Sequence, residues 1–221
     1  MPIDTSIDLD VQTLVLEELK WTPDVDAAGI GVAVEGGTVT LSGEVDSYAE
    51  RLAAKKAARR IRGVRTVVDD LTVHAASDPA ITETVIAREV ERALRGASNV
   101  PASVQAEIQG RNVTLTGEVD WEFQRRAAKR AVQFLRGVRS VNSMIRLSAR
   151  PSAADAEERI RNALTRNAQL DGKTIHVSVD GTRATLTGTV RSWVERQQAE
   201  NAAWASPHVT KVDNGIVVRP V

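Results

Sequence analysis

The sequence predicts an α+β chain of three tandem α-β-β-α-β domains, each with two helices packed on one face of a three-stranded mixed sheet. Three observations carry that prediction: a unit that recurs three times, a hydrophobic period that switches within each unit from about four residues to two and back, and glycines at fixed places between the periodic segments. The stretch "RNVTLTGEVDWEFQRRAAKRAVQFLRGVRSVNSMI" at 111–145 nearly repeats "GTVTLSGEVDSYAERLAAKKAARRIRGVRTVVDDL" at 37–71, and "TRATLTGTVRSWVERQQAENAAWASPHVTKVDNGI" at 182–216 matches both with some erosion. Aligned on the glycine after Thr-Leu-Ser/Thr, the copies place Gly43, Gly117 and Gly188 at intervals of 74 and 71 residues. That period is too long for a solenoid repeat of about 20–50 residues and suits small domains, here bounded at 1–76, 77–149 and 150–221.

Each copy opens with apolar residues four apart: Val15 and Leu19, Val90 and Leu94, Ile160 and Leu164. Polar neighbours complete a one-faced helix, helix one. Alternation follows at Ile30, Val32 and Val34, at Val104, Ala106 and Ile108, and at Ile175, Val177 and Val179, as a strand with one buried face requires. Gly36-Gly37, Gly110-Arg111-Asn112 and Asp180-Gly181-Thr182 supply a turn, and a second strand follows, making a β-hairpin. The anchor glycine is expected to close that strand where a bulge or a close backbone approach excludes a Cβ. "SYAE" at 47–50 and "SWVE" at 192–195 match the capping box that starts helix two. Its inner stripe is small (Ala54, Ala57, Ala58 and Ile61, or Ala128, Ala131, Val132 and Leu135), so the helix can lie close to the sheet. A third strand covers 67–73, 141–147 and 212–218, reached by a right-handed crossover if it runs parallel to the second.

Composition narrows the function. The chain has no cysteine, which removes disulfides, zinc thiolates and a thiol nucleophile. Net charge is zero, which argues against nucleic acid as a partner, since phosphate neutralisation supplies most nonspecific affinity. The parts are unequal: 8 basic and 13 acidic groups in the first domain, 11 and 8 in the second, 10 and 8 in the third. Asp4, Asp8 and Asp10 stand where a secretory leader carries basic residues, and no apolar run reaches a membrane span. The expected location is cytoplasmic, with peripheral attachment to the inner face of the membrane as the alternative.

No catalytic spacing is present: no G-x-S-x-G, no phosphate loop, no H-E-x-x-H. His74, His176 and His208 are far apart, and His176 is expected to face outward from its strand. Asp69-Asp70 reads as flanking a turn, with a weak cation contact as a lesser option. No enzyme activity, cofactor or metal is expected.

The candidate surface is helix two. Arg51, Lys55, Arg59 and Arg62 fall on one face in the first copy, and Arg125, Lys129 and Arg136, with Arg130 nearby, in the second. Each such cation near an anionic leaflet contributes about 1 kcal/mol. The plainer reading is a solvated polar face. Trp121 takes the position of the capping serines, with Asp120 as the substitute cap, and together with Phe123 it could sit at a headgroup boundary. A hydrophobic staple or a domain contact is the alternative for that pair, and Tyr48 and Trp193 could serve like Trp121. Trp21 and Trp204 read as core or interface residues.

Taken together, "GTVTLSGEV", the alanine-rich helix and the Gly-Val-x-x-Val turn at Gly63-Val64 to Val67 and Gly137-Val138 to Val141 resemble the BON domain, a family named after bacterial osmotically induced and nodulation proteins. The third copy departs with His208 in place of the glycine, so a reshaped turn is expected there. The resemblance covers the whole chain and implies the fold derived above together with a non-enzymatic role in osmotic stress or envelope maintenance at phospholipid surfaces. The implied partner is an anionic phospholipid membrane or an envelope protein. The alternative is a scaffold whose sheet edges or helix faces recruit other proteins or copies of the chain.

Overall fold

The computed structural model describes residues 5–74, 81–149, 151, 154–167, 170 and 174–219. The linker residues 75–80, 150 and 152–153 lie outside the described residues. The first domain runs α1 (Thr5–Trp21), a 3-10 turn (Ala27–Gly29), β1 (Ile30–Glu35), β2 (Thr38–Val45), α2 (Tyr48–Ala58) and β3 (Thr66–Val73). The second runs α3 (Glu83–Gly96), β4 (Gln105–Gln109), β5 (Asn112–Thr116), β6 (Glu118–Val119), α4 (Glu122–Val132), β7 (Ser140–Ser143) and β8 (Arg146–Leu147). The third runs α5 (Ala156–Arg166), β9 (Ile175–Asp180), β10 (Arg183–Val190), α6 (Trp193–Trp204), β11 (Lys211–Asn214) and β12 (Val217–Val218).

In every copy the second strand is central. It pairs antiparallel with the hairpin strand before it and parallel with the strand after helix two: β1-β2-β3, then β4-β5-β7 continued by β6-β8, then β9-β10 with β11 and β12. The α+β fold and its mixed sheets are thus as expected. Both helices and one sheet face share one core per domain, in the first case Val15, Leu19, Val39, Leu41, Ala54, Ala57 and Ala58. The alanines let α2 approach the strands closely enough for Val39 and Leu41 to be sealed from water.

Only Gly117 interrupts its strand, as expected, with β5 ending at Thr116 and β6 resuming at Glu118, whereas β2 and β10 continue two residues beyond Gly43 and Gly188. What all three glycines do is admit the neighbouring backbone. Gly43, Gly117 and Gly188 have φ of 113°, 120° and 118°, and a Cβ on any of them would collide with the carbonyl oxygen of Gly29, Ser103 or Thr174. Gly63 and Gly137 take φ of 95° and 87° in the turn into the last strand. Among the described residues Arg111 is the single non-glycine at positive φ, so His208 turns the chain differently, and its Nδ1 lies 3.1 Å from the Pro151 carbonyl.

Helix two is capped as the sequence indicates in two copies. Ser47 Oγ accepts from the Glu50 amide and Ser192 Oγ from that of Glu195. Glu50 closes the box on Asp46 N–H and also accepts from Asp26 N–H, tying the helix to the loop before β1. In the second copy Asp120 is not the substitute cap. Trp121 occupies the cap position, and Gln124 Oε1 accepts from the amides of both Asp120 and Trp121. Trp21, expected in a core or interface, is 85% exposed at the end of α1.

The three domains close head to tail through their second helices. Tyr48 and Leu52 at the start of α2 join the core of the second domain. Arg125 of α4 lies 5.0 Å over the Trp204 ring of α6, and Arg126 donates to Asn201 at 2.6 Å. Trp193 at the start of α6 carries Arg59 of α2 at 4.6 Å. Tyr48 and Trp193 are equivalent positions one residue past the cap, while in α4 the contact falls to Arg125 and Arg126 about one turn later, so the second helix of each domain meets another domain and the third returns to the first. Such a heterologous contact, repeated three times, can close a ring.

Candidate functional site

Part of the basic ridge of the first domain is engaged from within. The Asp69 carboxylate, in the middle of β3 rather than at a turn, pairs with Arg51 at 3.0 Å and Lys55 at 2.7 Å. Burial would raise the Asp69 pKa, but the hydrogen bonds from Lys55 and Arg51 outweigh it, and the carboxyl is held below its ordinary value. Arg59 is also engaged. Burial against Trp193 and the like charge of Arg196 lower its pKa from the ordinary arginine value. Arg51 and Lys55 are thus held by a carboxylate of their own domain and Arg59 lies on an indole of another, which leaves less of this ridge available to an outside surface.

The second domain divides its cations. Arg125 and Arg126 face the third domain and pair with Glu122 at 2.6 and 3.0 Å. Lys129 and Arg130 have no ion pair with any described residue, and Arg130 and Arg136 are exposed. Register explains the difference: Leu41 pairs with Asp69 on β3, whereas its counterpart Leu115 pairs with Ser143 on β7. A serine cannot hold Lys129 as the aspartate holds Lys55. On the third domain the corresponding residue is Asn214, opposite Leu186. There Arg196 turns inward to the carbonyls of Asn214 and Ile216.

Beside Lys129 and Arg130 the structure exposes aromatic surface. Trp121 and Phe123 stack with centroids 6.5 Å apart and remain 40% and 52% exposed. Phe134, eleven residues beyond Phe123 and 66% exposed, extends the stripe Phe123-Ala127-Arg130-Phe134 along one side of α4 and the turn after it. Sequence reading passed over Phe134, although its helical spacing from Phe123 and Arg130 was the available signal. Tyr48 and Trp193 lie elsewhere. Tyr48 is buried at the first domain boundary, where burial raises its phenol pKa above the ordinary 10 and a hydrogen bond to the Val141 backbone partly opposes the rise. Trp204 is the interface residue expected.

Elsewhere the chemistry is sparse. Among the described residues no three His, Cys, Asp or Glu side chains gather as a metal-holding group, and no helix is long and apolar enough to cross a membrane. His176 faces solvent from β9, as expected. A groove of about 720 Å³ between α3 and β4 is lined mainly by aliphatic side chains, and the two charges on its wall, Glu91 and Arg95, pair with each other at 2.7 Å.

Fold and surface define a threefold-repeated α-β-β-α-β protein whose distinguishing chemistry is a charged and aromatic exterior on helix two. The BON domain family matches the chain over residues 7–75, 82–149 and 152–220. The chain belongs to the BON domain family. Among curated proteins it is similar to the osmotically-inducible protein Y of Escherichia coli (strain K12), with 30% identity over 125 residues, 54% of this chain and 62% of that protein. The chain thus spans less than two thirds of the relative's length. Among solved structures, the C-terminal domain of CdsD, the structural protein of the type III secretion system of Chlamydia trachomatis, aligns over 96% of this chain and 98% of that one, with 12% identity and a TM-score of 0.27. A second CdsD structure gives 14% identity and a TM-score of 0.26 over 96% and 93%. Scores at that level bear on neither fold nor role.

Proposed function

We propose that this chain is a non-enzymatic, stress-associated protein of the bacterial envelope that attaches peripherally to anionic phospholipid through the outer side of α4. The observation that carries the reading is the stacked, exposed Trp121-Phe123 pair on the same helix as Lys129 and Arg130, two cations with no carboxylate partner among the described residues. Aromatic rings at a headgroup boundary and about 1 kcal/mol per nearby cation give weak, reversible, salt-sensitive attachment. The similarity to an osmotically inducible protein supports the stress association. Lipid attachment is tested by vesicle flotation. Wild-type protein is expected to float with vesicles containing phosphatidylglycerol and not with neutral ones. Phe123→Ala with Lys129→Glu and Arg130→Glu is expected to reduce retention at least tenfold, and equal retention of the variant would remove the proposed surface.

A second reading, a protein-protein scaffold, is favoured by α1. Ile7, Leu14 and Trp21 are exposed at seven-residue intervals along the flank of the Val11-Val15-Leu19 face, an apolar stripe that suits a partner helix. Flotation of an Ile7→Ser, Leu14→Ser variant separates the two readings, because lipid attachment through α4 leaves it unchanged.

A further inference from the structure

The boundary between the first and third domains contains a cleft of about 570 Å³ lined by Arg65 and Thr66 from one side and by Trp193, Arg196, Ile216, Val217, Val218 and Arg219 from the other. Among the described residues three guanidinium groups line it and no carboxylate does. A fourth, Arg59, lies on the Trp193 ring at 4.6 Å, with Arg196 at 5.3 Å from the same ring, so two like charges share one indole. The Trp193 indole N–H is buried and has no hydrogen-bond acceptor among the described residues. An indole nitrogen can only donate, and buried donors are almost always satisfied.

The nearby acids are committed elsewhere. Asp69 is held by Arg51 and Lys55, and Asp213 by Arg183 and Lys211. Arg196 spends Nε and one Nη on backbone carbonyls, which fixes the plane of its guanidinium. Arg65 and Arg219 are exposed and pair with no described carboxylate, so they can fold onto an entering anion. Cations converging at a domain boundary, one of them oriented in advance, with an unsatisfied donor beside them and apolar Ile216 and Val218 behind, make a binding site rather than a solvated seam.

We propose that this cleft binds a phosphate group, carried either by a small solute or by a lipid headgroup, with Arg65 and Arg219 closing on its oxygens and Arg196 as the fixed arm. Phosphate is favoured over a carboxylate because guanidinium forks from two domains can each take a separate pair of its oxygens. Occupancy would bridge the first and third domains and so tighten the ring. The site lies apart from the α4 surface and does not depend on it.

The test follows the four tryptophan indole N–H signals of the full chain by NMR, with Trp193 assigned through Trp193→Phe. Inorganic phosphate titrated at constant ionic strength is expected to shift the Trp193 signal saturably, and Arg65→Gln with Arg219→Gln is expected to weaken that response at least tenfold while the other three signals and the thermal midpoint stay in place. A parallel titration with short-chain phosphatidylglycerol below its micelle concentration separates the sources: a response to lipid alone assigns the site to headgroups, a response to phosphate assigns it to solutes, and either supports the proposal. No Trp193 shift with either probe, an equal shift with chloride, or an undiminished shift in the double arginine variant would overturn it. Lys129→Glu with Arg130→Glu is expected to leave this response intact, so loss of flotation and loss of the cleft are told apart.

Discussion

Helix two of the first domain and helix two of the second carry nearly the same basic sequence and meet opposite fates. In the first, Asp69 reaches up from β3 and takes both Arg51 and Lys55. In the second, Ser143 stands in that place, its hydroxyl buried without a partner, and Arg125 turns to Glu122 and to the Trp204 ring. Lys129 is left over. One residue under the helix therefore decides whether a basic ridge is internal glue or available surface, and the ridge itself does not reveal which. The whole-domain charges agree in sign, since the first domain, with 13 acidic groups to 8 basic, holds the carboxylate that the second lacks.

The largest effect is expected where the two domains are alike. Gly43→Ala and Gly117→Ala each place a methyl against a backbone carbonyl at a φ that L-residues rarely adopt. Each is expected to cost about 3 kcal/mol or more, read from urea unfolding. If one of the pair is tolerated within about 1 kcal/mol, the two domains do not share the close crossing between the hairpin and the loop before it, and comparison of their helices loses its common frame.

Much of this was legible before any coordinates. The glycines, the alternation and the capping serines are local features whose physics is carried by neighbours in sequence, and the close backbone approach at the anchor glycine follows from the same reasoning. The partners of the helix-two cations were not legible, because they lie on strands reached only after the crossover. Asp69 is 18 residues from Arg51, and Trp204 is on another domain. Aromatics one residue past the cap, Tyr48 and Trp193, recur at equivalent positions and were the available sign of an interface. Read singly, they resembled membrane anchors. Trp21 misled for the complementary reason: a tryptophan at a helix end usually packs, and here the chain turns away from it.

A smaller effect separates the two ridges directly. Asp69→Ala leaves Arg51 and Lys55 about a quarter exposed without their counter-charge, and a loss of about 1–2 kcal/mol is expected after allowance for solvent screening. The pH dependence has a definite sign. Because the folded Asp69 pKa is depressed, its stabilisation is fully present above the ordinary value of 3.8 and is lost as pH falls through the lower, folded value. The wild-type chain should therefore lose stability more steeply than Asp69→Ala on acidification below 3.8. Parallel curves for the two proteins would mean that the pair contributes nothing.

The smallest effect is a transplant. Ser143→Asp puts the first domain's carboxylate beneath the second domain's helix, at the same register opposite the leucine of the central strand. Arg125 already has Glu122, so the new charge should capture Lys129 chiefly, as Asp69 captures Lys55. Burying a carboxylate beside one cation is close to neutral for stability, and the thermal midpoint is expected to move by no more than about 3 °C. Removing one cation from an anionic-lipid surface costs about 1 kcal/mol, so retention on phosphatidylglycerol vesicles is expected to fall about fivefold. The companion change Asp69→Ser should release Lys55 without creating lipid attachment in the first domain, where Ala49 and Arg60 stand at the positions of Phe123 and Phe134. Attachment gained by that variant would show that charge alone suffices and that the aromatic stripe is incidental. Its absence, together with the loss in Ser143→Asp, would require both the freed lysine and the rings beside it.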